Sequence, residues 1–175
     1  GAVGDVYAAV RAEDGRDAAI KLLNPAAAED PEAWDRFTRE CALLGRMDHP
    51  SIVRTIEVGG RDEPFVAMEL LRGESLADLL RAEGRLEPKR AIGLIRQIAA
   101  GLDAAAADRV VHGDLKPSNM VQASRGETAN WKLLDFGLAR HLGEDMTHTK
   151  GQALGTPGFI APELLSGQSP TPRAD

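Results

Sequence analysis

Cysteine is almost missing from this chain. Cys41 is the only one in 175 residues, so no internal disulfide can form. No Cys/His pairs stand at zinc spacing, which excludes a structural zinc site as well. Aromatic residues make up only 4%, so the interior is expected to be Leu, Ile, Val and Ala with little ring stacking. No apolar run is long enough to span a bilayer as a helix. Positive charge is in deficit: 21 Lys and Arg stand against 27 Asp and Glu, a net charge of −6. Broad electrostatic capture of nucleic acid or anionic membrane needs a basic face, so no nucleic-acid partner and no membrane segment within this chain are expected. No charged-then-apolar leader follows Gly1, so no signal peptide is expected. What is present is 43% hydrophobic residues, which excludes wholesale disorder. The length suits one core or two small lobes.

The first third reads as strands. Asp5 to Val10 and Ala18 to Leu23 flank the turn signal Glu13-Asp14-Gly15-Arg16 and predict a hairpin. Asp30-Pro31 opens a helix, with Asp as N-cap and Pro at the first helical position. Its buried stripe is Trp34, Phe37, Cys41 and Leu44. Glu40 falls on or beside that inward face, an unusual place for a carboxylate without a partner. Ile52 to Val58 and Pro64 to Leu70 predict two more strands around Gly59-Gly60-Arg61-Asp62. After Gly73 the pattern becomes helical. Ser75-Leu76-Ala77-Asp78 fits a capping box, and Pro88 starts a long helix with Ala91, Ile95, Ile98 and Leu102 on one face. Beyond Val111 the chain is polar and punctuated by Gly and Pro, apart from the short apolar run Trp131 to Leu134. The order predicts a small β-rich lobe and a helical lobe joined near Leu70 to Gly73, with a ligand at the junction.

The densest chemical signal is His112-Gly113-Asp114-Leu115-Lys116-Pro117-Ser118-Asn119, followed after a hairpin-like stretch by Asp135-Phe136-Gly137. Two carboxylates, an ammonium and an amide on irregular backbone can position a hydroxyl and hold a divalent cation; such oxygens suit Mg²⁺.

On these residues the sequence resembles the eukaryotic-type protein kinases. The likeness includes Ala18-Ala19-Ile20-Lys21, the His112 to Asn119 loop, Asp135-Phe136-Gly137, and Gly155-Thr156-Pro157-Gly158-Phe159-Ile160-Ala161-Pro162-Glu163. It runs from Gly1 to Asp175, and the loop and Ala-rich composition resemble the bacterial group. The resemblance implies an α+β, bilobal protein-kinase-like fold. Residues 1–70 would form the N-lobe, with a small antiparallel sheet and one helix, and 71–175 part of a mainly helical C-lobe. It implies ATP and Mg²⁺ as cofactors and transfer of the γ-phosphoryl group to Ser or Thr of protein substrates. A cytoplasmic location is expected for this domain, with tethering through other segments left open.

The family's roles fall on this sequence as follows. Lys21 would contact the α/β-phosphates, and Glu40 would pair with it. Asp135 and Asn119 would hold the metal ions. Asp114 would orient the acceptor hydroxyl and accept its proton. Lys116 would neutralise charge on the transferred group, and Thr156 would hydrogen-bond Asp114 and Lys116. Gly1 and Gly4 resemble the last two glycines of the phosphate-covering loop, closed by Val6. Val6, Ala19 and Val121 would sandwich adenine. Met68 would be the gatekeeper, Glu69 and Leu71 would offer hinge backbone groups, and Ser75 would approach the ribose. Lys116 and Gly155-Thr156-Pro157 resemble Ser/Thr rather than Tyr kinases. Thr147 and Thr149 are candidate phosphosites.

Three departures from the pattern carry expectations. Gly113 stands where most members have the Arg that binds an activation-segment phosphate. Thr55 replaces an aliphatic residue of an internal stack, which is expected to loosen the helix carrying Glu40. The likeness begins inside the Gly-rich loop and stops at the Asp that opens the large lobe's central helix. A fragment of this extent is expected to expose apolar surface and to have little or no activity alone. The alternative reading is a pseudokinase-type nucleotide-binding or scaffold module, against which the full set of Lys21, Glu40, Asp114, Lys116, Asn119 and Asp135 argues. A small-molecule phosphotransferase is a third reading, against which Gly155 to Glu163 argues.

Overall fold

A computed structural model describes residues 5–22, 34–35, 38, 41–42, 45–60, 64–124, 130–136, 156, 158–166, 168 and 171–175. Gly1, Gly4, Phe37, Glu40, Leu44, Thr147 and Thr149, all named above, lie outside these residues. Contacts group the described chain into two units. One takes the residues up to 48 and 53–71; the other takes 49–52 and those from 72 onward.

The first unit is a four-stranded antiparallel sheet in the order β1-β2-β4-β3. Its strands are β1 (Val6–Val10), β2 (Asp17–Leu22), β3 (Thr55–Gly59) and β4 (Phe65–Glu69). The β1–β2 turn closes where the sequence punctuates it. Gly15 sits at φ +70°, a region that favours glycine, and donates its N–H to the Arg11 carbonyl at 2.9 Å. Register sets which side chains share a face. Val6 stands opposite Lys21, and Ala19 opposite Met68. Because strand side chains alternate, Val6, Ala19, Lys21 and Met68 all project from one face of the sheet. Lys21, Ala19 and Met68 are buried there. Trp34, Asp35, Thr38, Cys41 and Ala42 are helical, and Cys41 is buried.

The predicted strand from Ile52 is corrected. Strand β3 starts at Thr55, and Ile52 instead forms an isolated parallel bridge with Leu133 in the second unit. Both side chains are almost fully buried. A continuous apolar run reads alike whether its residues serve one sheet or two cores.

The second unit contains α1 (Leu76–Glu83), α2 (Pro88–Ala107), the hairpin of β5 (Met120–Gln122) and β6 (Trp131–Leu133), and the short α3 (Pro162–Leu165). Ser75 caps α1 as the sequence suggests: its Oγ accepts from the Asp78 N–H at 3.1 Å and donates to the Asp78 carboxylate at 2.6 Å. Pro88 occupies the first turn of α2, behind an N-cap Glu87 that accepts the Arg90 N–H. The buried face of α2 is corrected too. Leu94, Ile98, Gly101 and Ala105 carry it, while Ile95 is 61% exposed. The contact is made through small residues. A methyl group at Gly101 would lie 3.1 Å from the Ser51 carbonyl oxygen and 3.4 Å from Leu133. Bulk alone pointed to the wrong isoleucine. Gln97, on the same helix, accepts the Trp131 N–H at 2.9 Å and so pins β6. Among the described residues, no helix is long and apolar enough to cross a membrane.

Candidate active site

The second unit brings Asp114, Lys116, Asn119 and Thr156 together. Residues 111–116 are irregular, and Pro117–Asn119 form a 3₁₀ turn whose Asn119 N–H returns to the Lys116 carbonyl at 2.9 Å. That turn folds Asn119 back on Asp114: its amide nitrogen donates to the Asp114 carbonyl at 2.9 Å and to Oδ2 at 3.3 Å. Lys116 Nζ donates to Asp114 Oδ2 at 2.5 Å and to Thr156 Oγ1 at 2.8 Å. The Thr156 hydroxyl then donates to Asp114 Oδ1 at 3.1 Å, with the Thr156 N–H at 3.3 Å from the same oxygen. Thr156 is 42 residues away in sequence. Together these groups lock both oxygens of one carboxylate.

This carboxylate is less than a fifth exposed. Burial favours its neutral form, but the Lys116 ammonium and the Thr156 donors outweigh burial and hold its pKa below the ordinary carboxylate value. At neutral pH Asp114 is an oriented anion and only a weak base.

The backbone that carries it is anchored from the far end of the chain. The Asp175 carboxylate accepts the His112 N–H at 2.6 Å and the Gly113 N–H at 2.8 Å. Gly113 sits at φ +76°, where a side chain would be strained. Glycine at this position therefore suits the loop as well as departing from the family's Arg. Beside Asp114, Leu115, Phe159, Ile160 and Leu164 help to line a small surface cleft.

The hairpin delivers Asp135. The Leu134 N–H donates to the Asn119 carbonyl at 2.9 Å, and Asp135 follows at φ +58°. Such a conformation costs a non-glycine residue about 1–3 kcal/mol and is typical of functional segments. Asn119 spends its amide nitrogen on Asp114, so its carbonyl oxygen is the end suited to a hard cation. That oxygen and the Asp135 carboxylate are donors of the chemical type that Mg²⁺ takes beside waters and phosphate oxygens. Among the described residues no three His, Cys, Asp or Glu side chains form an all-protein metal cage.

The other predicted residues divide between the units. In the first, Val6, Ala19, Lys21 and Met68 share a sheet face. Glu69 lies on the opposite face, and its carboxylate accepts the Arg54 N–H at 2.8 Å. Leu71 is half-buried at the end of that unit. In the second, Ser75 and Val121 form a bridge between the chain before α1 and β5. Sequence reading gave no role of their own to His112, quoted only as part of the loop motif, or to the anchoring carboxylate of Asp175. His112 is completely buried, and its signal was its place two residues before Asp114.

Burial lowers the His112 pKa, although the charges of Asp175, Asp114 and Asp135 and the Leu134 carbonyl pull the other way. Unfolding therefore lets the imidazole take up a proton near its ordinary value of about 6.5. The unfolded state binds more protons in this range, so stability falls as pH drops below about 6.5. Asp114 adds a loss in the same direction below about pH 4. Denaturant midpoints should fall steadily from pH 7 to 5, and the slope should flatten in His112→Phe.

The family model for the protein kinase domain matches residues 1–175. The chain is 38% identical to the serine/threonine-protein kinase pkn2 of Myxococcus xanthus over 181 residues, covering all of this chain and 21% of that protein. It is also 38% identical to the serine/threonine-protein kinase PknD of Mycobacterium tuberculosis over 176 residues, covering 26% of that relative. The crystal structure of the M. tuberculosis PknI kinase domain superposes with a TM-score of 0.75 at 28% identity, across the whole of this chain and 65% of the solved one. The chain thus spans about a quarter or less of these two curated relatives. It belongs to the protein kinase domain family, with the α+β kinase fold. Within that family it is of the bacterial, eukaryotic-like Ser/Thr type.

Proposed function

We propose that this chain supplies the catalytic loop and nucleotide-binding face of a Ser/Thr protein kinase that transfers the γ-phosphoryl group of ATP to protein hydroxyls. The observation that carries this reading is the closed network of Asp114, Lys116, Asn119 and Thr156. It joins an oriented carboxylate to a cation, and phosphoryl transfer asks mainly for alignment and electrostatic stabilisation. The acceptor oxygen is aligned by Asp114, which takes its proton. Lys116 holds Asp114 and faces the charge of the transferred group. Thr156 fixes both. Asn119 and Asp135 would hold Mg²⁺, which neutralises phosphate charge when bound.

On this reading residues 1–70 are the N-lobe and 71–175 belong to the C-lobe; the division of contacts near 71–72 supports it. Lys21, paired with Glu40, serves the α/β-phosphates, and Gly1 and Gly4 cover them. Val6, Ala19, Met68, Glu69, Leu71, Ser75 and Val121 serve adenine and ribose. The shared sheet face of Val6, Ala19, Lys21 and Met68 supports that assignment.

The test is label transfer from γ-labelled ATP by protein expressed from the complete reading frame, with phosphoamino-acid analysis of the product. Phosphoserine or phosphothreonine is expected; ATP binding without transfer would instead favour the pseudokinase reading. Gly113 adds a regulatory expectation. Without an Arg to bind it, a phosphate on Thr147 or Thr149 has lost a main anchor. Thr147→Ala/Thr149→Ala should keep turnover within about tenfold of wild type, since charge-assisted anchoring is what such a phosphate supplies; a collapse by orders of magnitude contradicts this.

A further inference from the structure

Strand β4 is held to β3 in two different ways along its length. Val58 pairs with Val66 and Glu57 with Ala67, but the next pair is Thr55 with Met68. Ile56 is therefore an extra residue, and the ladder is bulged there. One step beyond Thr55 and Met68 the register sets Arg54 opposite Glu69. The Glu69 N–H donates to the Arg54 carbonyl at 3.0 Å. In a regular pair of this kind the Arg54 N–H would return to its partner's main-chain carbonyl. Here it donates to Oε1 of the Glu69 carboxylate at 2.8 Å. A side chain completes the exchange, and a carboxylate is a stronger acceptor than a peptide oxygen. Leu70 and Leu71 follow directly, outside the strand, at the end of the first unit.

We propose that Glu69 is a positioning residue whose carboxylate closes the β3–β4 ladder past the bulge and so fixes the end of β4 that would meet adenine. The consequence for the nucleotide rests on the kinase reading; the clamp itself does not. On its other edge the same end of β4 pairs with β2, Met68 with Ala19 and Glu69 with Ala18. Loss of the carboxylate therefore leaves the strand in the sheet and loosens one edge of its last two residues. Lys21 lies elsewhere along the ladder. It pairs with Val66, on the regular side of the bulge. The clamp thus acts on the adenine end of the nucleotide and not on its phosphates. Gln can put an amide oxygen where Oε1 lies, whereas Leu accepts nothing.

The experiment uses protein expressed from the complete reading frame. Hydrogen exchange at the Arg54 amide should be about tenfold faster in Glu69→Leu than in wild type and partly restored in Glu69→Gln. The dissociation constants of adenosine and of ATP should rise by the same factor, about fivefold or more in Glu69→Leu and less in Glu69→Gln. At saturating ATP, kcat should fall by less than those constants rise. Glu57→Leu removes an exposed carboxylate from the same ladder across the bulge, and should change neither Arg54 exchange nor adenosine affinity. A rise for ATP alone would move the effect to the phosphates and overturn the proposal. So would equal Arg54 exchange in wild type and a folded Glu69→Leu, or unchanged adenosine affinity in that variant. If wild type binds neither adenosine nor ATP, the kinase reading fails, while Arg54 exchange still decides the clamp.

Discussion

Asp114→Asn should lower turnover in labelled phosphoryl transfer by about 10²–10⁴-fold, the range that a positioned proton acceptor contributes. The substitution keeps the shape and removes the charge. In the folded protein the two oxygens of Asp114 face only donors: Thr156 at one, Lys116 and Asn119 at the other. An amide puts an NH₂ group against one of those sets, so the variant loses an acceptor and gains a donor facing donors. Lys116 loses its counter-charge and is free to swing away. The KM for ATP should change far less than kcat, because the lost interaction belongs to the acceptor side of the reaction. Thr156→Val tests the same network from its other edge and should have a smaller effect, since Lys116 still reaches Asp114 directly. A folded Asp114→Asn protein with more than about a tenth of wild-type turnover would contradict the assigned role. The low pKa of Asp114 adds a second expectation: its ionisation should not limit kcat anywhere near neutral pH.

The parts legible in the sequence were those whose cause is local. The Gly15 turn, the Ser75 cap and the Pro88 start each follow from the conformational demands of a few adjacent residues. The cluster of Asp114, Lys116 and Asn119 was legible because a single turn closes it. Thr156 came from the family resemblance, and only the fold brings it 42 residues back to Asp114. Three features were illegible for a common reason. The burial of Gly101 rather than Ile95, the transfer of Ile52 to Leu133, and the seating of Asp175 on Gly113 all depend on what packs opposite. An apolar run states that a residue prefers the interior, and a carboxylate states that it needs donors. Neither says which neighbour will supply them. The two hydrogen bonds of the His112 ring were illegible because the Asp114 N–H and the Leu134 carbonyl are separated in sequence by the whole β5–β6 hairpin.

Gly73 shows the same limit with the largest effect expected on stability. Its place in the sequence suggested a boundary between textures. In the structure it is a point where two backbones touch. A Cβ built there would fall 2.4 Å from both the Cβ and the carbonyl oxygen of Gln122, and 2.9 Å from its carbonyl carbon. The oxygen and the carbonyl carbon are main-chain atoms of β5, fixed with the Cβ by pairing of Gln122 with Trp131, and Gln122 is itself buried. Residues 72–75 are stitched to the same strand: the Arg72 N–H reaches the Ala123 carbonyl at 3.4 Å, the Gln122 N–H reaches Glu74 at 3.1 Å, and Ser75 bridges to Val121. Gly73→Ala can be accommodated only by parting this ribbon. Overpacking of that kind costs about 1–3 kcal/mol, and each broken backbone hydrogen bond adds about 1 kcal/mol. A loss of roughly 3 kcal/mol or more is therefore expected in denaturant unfolding. Two other glycines serve as controls. At Gly59 the Cβ would meet the Phe65 ring at 2.1 Å, but a half-buried side chain can turn aside, so Gly59→Ala should cost about 1 kcal/mol. At Gly84 nothing lies within 4 Å and only φ +75° opposes a side chain, so Gly84→Ala should cost about 1 kcal/mol as well. Because Ser75 and Val121 ride on the parted ribbon, Gly73→Ala should also weaken ATP binding at temperatures where it remains folded, which neither control should do. Equal stability of Gly73→Ala and Gly84→Ala would show that residues 72–75 are not held against β5 as described.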